Sequence, residues 1–454
     1  MDTNRIVVVG GVAAGMSAAS AAKRITPDTE VVALERGEFV SYASCGIPYY
    51  LSEVVKDHLN LVAVTAEEFR EKRGIDLRTM HEVKSIDAEK KIVEVLDREA
   101  DNTYELEWSK LVIATGARAF RPPIEGMDAP NVFMVHSLQD GLRVMGFIRD
   151  RNPQRAVILG AGYVGLELAE TFRARGMVVS IVQRSDRIMR GLEPEVGEKV
   201  VEELDRQGVI LQRNTAVKSF ERNNGGEVKR VITDKGEIEV DIVVAAVGVK
   251  PNTELAQKAG IEIGKTGAIA TNDRMQTCIP DIYSAGDCAE AWHRILERPE
   301  YAPLGTTANK QGRIAGTNAA GSDERFPGVI GSMVAKVFDL AVARTGLGLK
   351  EAIDSGFDAA SNTITARSRA HYYPGAKPIT ISLILDSKTG RLLGAQLTGA
   401  DGTAKRNDVL ATAITSGMTI GEIEYLDLCY APPYSPVYDP ILVAARQARK
   451  KLHK

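Results

Sequence analysis

Cys45 stands in the run Ser41-Tyr42-Ala43-Ser44-Cys45-Gly46-Ile47-Pro48-Tyr49-Tyr50, and the positions five before and five after it are Val40 and Tyr50. A thiol so placed has no neighbouring cysteine in its own loop, so its electrons must go elsewhere: to a small-molecule thiol held as a mixed disulfide, to a persulfide, or to its own sulfenic acid. The run reads as a helix start, with Ser44 as N-cap and Pro48 in a first turn whose amides lack intrahelical acceptors. Helix starts of this kind bring a thiol pKa from about 8.5 down to roughly 3.5–7.5. The competing role is the commonest one for a cysteine, a small buried hydrophobe. The rest of the chain decides between them.

Two strand-turn-helix units bracket this chemistry. Arg5-Ile6-Val7-Val8-Val9 is an apolar strand that Gly10-Gly11-Val12-Ala13-Ala14-Gly15 turns into a helix over 16–24; a second strand over 30–34 ends in Glu35. This is the Rossmann fingerprint, in which the acidic residue about 20 positions on accepts hydrogen bonds from an adenosine ribose. Val12 occupies the place of the middle glycine. The second unit, Gly160-Ala161-Gly162-Tyr163-Val164-Gly165, keeps all three glycines between the strand 156–159 and a helix over 166–175. Two dinucleotides are expected, each with phosphate at an open helix N-terminus. The second unit's next strand, 178–182, ends in Gln183-Arg184 instead of an acid, and Arg184, Arg187 and Arg190 follow as candidates to meet a 2′-phosphate.

Thr115-Gly116 and Gly248 end apolar strands at the two points where one fold could pass into the other, and Gly286-Asp287 puts a carboxylate at a further strand exit. The order predicts an α/β protein of two nested Rossmann-like domains and a C-terminal α+β domain. The boundaries are 1–118 with 249–325, 119–248, and 326–454, the last carrying a strand over 379–385 and a helix over 405–416.

A chain of 454 residues exceeds one ordinary core, and its 44% hydrophobic and 26% charged content is that of a globular protein. A net charge of −3 argues against nucleic acid as partner, and the basic stretch 446–454 reads as a solvated helix end. No apolar run approaches the roughly 20 residues of a membrane span. Met1 to Arg5 leads straight into a strand, so a cytoplasmic protein is expected. The four cysteines form no C-x-x-C pair, which leaves no metal site to expect and suits a reducing compartment.

With these motifs in this order, the chain resembles the FAD-containing pyridine nucleotide-disulfide oxidoreductases over essentially its whole length. The resemblance implies a glutathione reductase-like fold with FAD in the first domain, held by Gly10, Val12, Ala13, Ala14, Gly15, Glu35, Arg36, Ser44, Val83, Thr115, Gly116, Asp287 and Ala308. It implies NADH or NADPH in the second, against Gly160, Gly162, Tyr163, Gly165, Glu167, Gln183, Arg184 and Gly248, with Tyr163 similar to the tyrosine that gates the nicotinamide.

Within the family, the paired-cysteine branch with its C-terminal His/Glu pair is not matched: beyond residue 326 the histidines are His371 and His453. Peroxidases and many water-forming NADH oxidases of the single-cysteine branch carry a histidine where Ala13 stands. The branch that fits resembles coenzyme A-disulfide reductase and the CoA-dependent persulfide or polysulfide reductases. It is carried by residues 41–49, His371-Tyr372-Tyr373-Pro374-Gly375 and Tyr430-Ala431-Pro432-Pro433-Tyr434-Ser435. This resemblance implies that Cys45 is the redox-active thiol and that Tyr372 and Tyr430 reach it from the other subunit of a homodimer. It further implies that CoA, which can stay bound, meets Ser17, Arg24, Ser41, Ser44, Arg73, Asn309 and Tyr438. Some relatives carry a fused sulfur-transfer domain; here such a donor is expected to be a separate protein. A water-forming NADH oxidase and a flavin-bound thiol redox sensor are the alternative readings.

Overall fold

The computed structural model describes residues 4–452. Met1, Asp2, Thr3, His453 and Lys454, which entered the readings of the chain's start and its basic tail, lie outside the described residues. The chain forms two compact units. One contains the residues up to Phe120, His136–Met145 and Gly248–Val329; the other contains Arg121–Val135, Gly146–Val247 and the residues from Ile330 on.

The first unit is built on a parallel sheet in the order Ile282–Ser284, Lys110–Ile113, Arg5–Val9, Glu30–Leu34, Asp76–Arg78. The central strands are apolar on both faces because both are covered, as parallel sheets require; Val7 and Val8 are fully buried. Gly10 turns the chain at φ +118°, and a Cβ there would lie 2.1 Å from the Ala114 carbonyl oxygen. The helix Ala13–Ile25 begins three residues before the expected 16 and takes Gly15 into its first turn, where a Cβ would lie 1.8 Å from the Gly10 oxygen. A second helix, Gly305–Ala319, crosses it at backbone contact: Cβ atoms at Gly312 and Gly316 would stand 2.2 Å and 2.0 Å from the oxygens of Ala14 and Ala18. The antiparallel ribbon Ala117–Ala119 with Val249–Pro251 joins the two chain crossings, and Asn252 links them by donating to Thr115 O (2.9 Å) and accepting on its own O from the Thr115 hydroxyl (2.7 Å).

The second unit repeats the plan, with parallel strands in the order Ile210–Gln212, Val178–Val182, Arg155–Leu159, Ile242–Ala245, Val132–Met134. Its glycine-turn helix is Tyr163–Ala174, again three residues ahead of expectation, because Gly165 sits in the first turn with a Cβ position 2.1 Å from the Gly160 oxygen. The C-terminal part of this unit is an antiparallel sheet in the order Met333–Val337, Leu340–Gly346, Leu392–Gly399, Pro378–Asp386, Ala359–Arg367, against which the helix Thr403–Thr415 packs. The expected α/β architecture with a C-terminal α+β portion is thus the observed one.

Candidate functional site

Cys45 is exposed in a tightly pinned loop. Ser41 holds a left-handed backbone at φ +47°, a conformation that costs a non-glycine residue roughly 1 kcal/mol or more. Its N–H donates to Gly11 O (2.8 Å) and its own oxygen accepts from Ala63 N–H (2.8 Å). Ala43 N–H donates to Leu61 O (2.8 Å), which fixes the approach to the cysteine. Residues Ser44–Gly46 form a 3₁₀ turn, and the helix proper is Ile47–Leu51 with Gly46 at its N-cap and Pro48 in its first turn. This corrects the expected N-cap role of Ser44. The turn begins from Ala43 without a side-chain cap, so Ser44 lies within it and faces solvent. A five-residue helix also supplies little dipole, so the helix-start argument for an ionised Cys45 loses most of its force.

A cavity of about 590 Å³ opens beside this loop. Its wall is one face of the helix Ala13–Ile25, read out at Ala13, Met16, Ser17, Ser20 and Arg24. At 1.5 Å per residue, the 11 steps from Ala13 to Arg24 span about 16 Å. Ser41, Tyr42 and Ala43 line the cavity, and the Ser41 hydrogen bond to Gly11 places that segment at the helix's N-terminal end. Arg24 is at the other end. Met16, Ala63, Val64 and Phe69 make an apolar lining, while Arg73, Lys310 and Arg313 add positive charge. The structure therefore brings together Ser17, Arg24, Ser41, Arg73 and Asn309, and Ser17 donates its hydroxyl to Asn309 Oδ1 (2.7 Å). Ser44 and Tyr438 are not part of this lining.

Lys310, Arg313, Ser20 and Phe69 were missed from sequence. The spacing of Asn309, Lys310 and Arg313 on one helical face was the available signal. The cations are not equivalent. Arg73 pairs with Glu68 (3.3 Å) and stacks over Phe69 (4.8 Å), and Arg313 pairs with Glu324 (2.6 Å). Arg24 and Lys310 have no carboxylate partner among the described residues. Val12 and Ala13, expected at a cofactor's phosphates, line this cavity, so the side chain in place of the middle glycine has room there.

The first glycine turn fits the expected FAD. Glu35 accepts from the Gly11 N–H (2.7 Å) on one oxygen and from the Gly37 N–H (2.8 Å) on the other. Gly286, at φ +84°, donates to Gln311 Oε1 (3.0 Å), and a Cβ there would meet the Ala14 side chain at 2.7 Å. Asp287 follows. Burial pushes its carboxyl up, opposed by His136, and no side-chain donor reaches it among the described residues. A half-buried carboxyl without a protein donor suits a polyhydroxylated chain. Ala308 is buried in the crossing helix, Thr115 and Gly116 lie at the ribbon, Val83 packs against the buried cluster that includes Val7, Leu34 and Val93, and Arg36 is exposed beyond Glu35.

In the second unit Gly160, at φ +101°, approaches Ala246 O, where a Cβ would stand 2.6 Å away, and Gly162 leaves the helix N-terminus open. Burial pushes the Tyr163 hydroxyl up to about 12, with Arg344 pulling the other way. Burial, reinforced by Glu170, lifts the Glu167 carboxyl to about 7. Gln183 follows the strand end and Arg184 is exposed. Gly248, at φ +111°, belongs instead to the first unit, where its oxygen accepts from Phe120 N–H (2.8 Å).

Tyr372 and Tyr430, on separate loops of the second unit, are brought together. Their hydroxyls hydrogen-bond, and that bond, more than burial, holds the Tyr372 phenol above its ordinary range. The buried Arg406 guanidinium, absent from the sequence reading, ties the two loops: it donates to Asp439 (3.0 Å), to Ser368 O (2.9 Å) and to Tyr434 O (3.3 Å). Tyr438 is exposed in the same unit.

Residues 4–312 match the sequence pattern of the pyridine nucleotide-disulphide oxidoreductases, and residues 333–440 match that family's dimerisation domain. The chain belongs to this family. It is an oxidoreductase whose cofactors are FAD and NAD(P)H, and it carries a dimerisation domain. It is 41% identical to the CoA-dependent NAD(P)H sulfur oxidoreductase of Pyrococcus furiosus, over 98% of this chain and 99% of that one. It is 31% identical to the coenzyme A disulfide reductase of Staphylococcus aureus, over 98% of this chain and 100% of that one. Among solved structures it is similar to an NAD-dependent persulfide reductase from A. fulgidus, with a TM-score of 0.95, 39% identity and coverage of 98% of this chain and 83% of the other. Among the described residues no helix is long and apolar enough to cross a membrane.

Proposed function

We propose that this flavoenzyme reduces CoA disulfide, CoA persulfide or a related polysulfide with NAD(P)H, through Cys45. The observation that carries the reading is the groove along the first helix, with the thiol loop at one end and the unpaired cation Arg24 about 16 Å away. A ligand with sulfur at one end, a slim arm and phosphates at the other matches it, and the relatives named for CoA support the same assignment.

The Cys45 thiolate attacks the acceptor's disulfide, forming a Cys45–CoA mixed disulfide while CoA thiolate, or hydrosulfide from a persulfide, departs. Tyr372 and Tyr430 of the second subunit donate the proton that the leaving sulfur takes, replacing a histidine. Regenerating the Cys45 thiolate and releasing CoA needs two electrons, which is the chemistry FAD supplies when bound and charged by NAD(P)H. In this reading residues 1–118 with 249–325 hold FAD, 119–248 hold NAD(P)H and 326–454 form the dimer. Sulfane sulfur arrives as CoA persulfide made by a separate sulfur-transfer protein.

Stopped-flow reduction of Cys45→Ser tests the proposal. NAD(P)H should still bleach the flavin, while turnover with CoA disulfide or CoA persulfide falls by about a thousandfold or more. Retained acceptor turnover would remove Cys45 from the chemistry. Oxygen uptake that accounts for NAD(P)H oxidation better than CoA acceptors do would favour a water-forming oxidase, and a single turnover with every acceptor would favour a sensor.

A further inference from the structure

The turn after the strand Val178–Val182 is the counterpart, in the second glycine-turn unit, of Glu35 in the first, and the two are wired alike at one end only. Glu35 Oε2 accepts from Gly11 N–H, the second residue of its turn (2.7 Å). Gln183 Oε1 accepts from Ala161 N–H at the matching position (3.0 Å). A carboxylate so held keeps its charge and further acceptor capacity for a ribose diol; a carboxamide has one acceptor oxygen and an NH₂ that only donates. Both of those donor positions are taken: Gln183 Nε2 donates to Ser185 Oγ (2.6 Å) and to Arg187 O (3.0 Å). The Ser185 hydroxyl donates to Arg187 O as well (2.9 Å), which closes the turn.

Gln183 therefore acts as an uncharged brace for a turn that exposes Arg184 and Arg187, with Arg190 exposed just beyond. None of the three arginines has a carboxylate partner among the described residues. The turn's own carboxylate, Asp186, is engaged by the Asn214 side-chain amide (3.1 Å). Most arginines of this chain have a carboxylate partner, as Arg155, Arg206 and Arg230 do, whereas here three without one stand within the seven residues 184–190. Arginine also matches phosphate geometry better than any other side chain.

We infer that this turn selects a cosubstrate carrying a 2′-phosphate on its adenosine ribose, so that the enzyme prefers NADPH to NADH. The inference rests on the assignment of the second unit to NAD(P)H, and its test is separate from the acceptor chemistry. Titration calorimetry on the FAD-saturated holoenzyme, with 2′,5′-ADP and 5′-ADP as probes, should show 2′,5′-ADP binding about tenfold tighter or more, with the gap shrinking as salt rises. Arg184→Ala with Arg187→Ala should remove that gap while leaving 5′-ADP affinity within about twofold. Gln183→Glu should invert it and shift the ratio of kcat/KM values from NADPH towards NADH. Equal affinity of the two probes for the unsubstituted enzyme would overturn the inference. So would a 2′-phosphate preference that survives both sets of substitutions. Neither result would disturb the role of Cys45, which the Cys45→Ser experiment reads independently.

Discussion

At the scale of single residues, the groove's cations divide by whether they are already engaged. Arg73 and Arg313 have glutamate partners, whereas Arg24 and Lys310 have no carboxylate among the described residues and are available to a polyanion. Arg24→Gln and Lys310→Gln should each raise KM for CoA disulfide about tenfold with little change in kcat. A nucleotide-free aromatic disulfide should lose nothing, and that contrast separates phosphate binding from general damage. Glu167 makes the pH prediction. Its carboxyl is raised from 4.5 to about 7 by burial and by Glu170, so the folded state holds the neutral form more strongly than the unfolded chain does. The stabilising contribution is full below the unfolded value and is lost as pH rises through about 7. Glu167→Gln should gain stability relative to the parent between about pH 4.5 and 7, by roughly 3 kcal/mol at most, and stay level above that. A urea midpoint difference that does not change over that range would place the titration elsewhere.

At the scale of elements, the groove exists because two helices cross at backbone contact. The crossing depends on Gly312 and Gly316, whose absent side chains leave room for the oxygens of Ala14 and Ala18. Gly316→Ala would put a Cβ 2.0 Å from Ala18 O, so backbone must move. The variant should lose about 1–3 kcal/mol and release flavin more readily, despite alanine's better helix propensity. Gly146→Ala is the control: it lies inside the helix Leu138–Arg151 with nothing within 4 Å of its Cβ position. That change should be neutral or stabilise by about 0.5–1 kcal/mol. If Gly316→Ala behaved like the control in urea unfolding, the crossing would not be under packing constraint.

At the scale of the whole molecule, the dimerisation domain carries an exposed apolar group. Tyr372 is 65% exposed, Tyr434 79%, Val437 65% and Tyr438 66%. The proposal that Tyr372 and Tyr430 serve the partner subunit's cysteine predicts complementation. A Cys45→Ser subunit and a Tyr430→Phe subunit, each impaired as a homodimer, should together form heterodimers with one intact site. Partial recovery of activity after mixing and reassembly, in proportion to the heterodimers formed, supports sharing; no recovery with heterodimers demonstrably formed would remove Tyr430 from the shared site.

Sequence by itself determined what depends on local backbone and residue type. Gly10, Gly15, Gly160 and Gly165 sit where a Cβ would strike a carbonyl oxygen, so their spacing announces the turns wherever they occur. The apolar runs at 5–9 and 156–159 announce covered parallel strands, and a cysteine with no second cysteine nearby in the sequence announces its class of chemistry. Even so, the helix starts came three residues early, and Ser44 proved to lie inside a 3₁₀ turn, because hydrogen bonding from Ala43 to Leu61 sets that loop before any helix begins. Only the tertiary structure decided what depends on residues remote in the chain. Ser17 meets Asn309 across 292 positions, Lys310 and Arg313 join Arg24 in one groove, and Tyr372 meets Tyr430 from a second loop. Such pairs carry no local signature: each partner is compatible with many neighbours, and it is the close packing of helices and sheets that selects one.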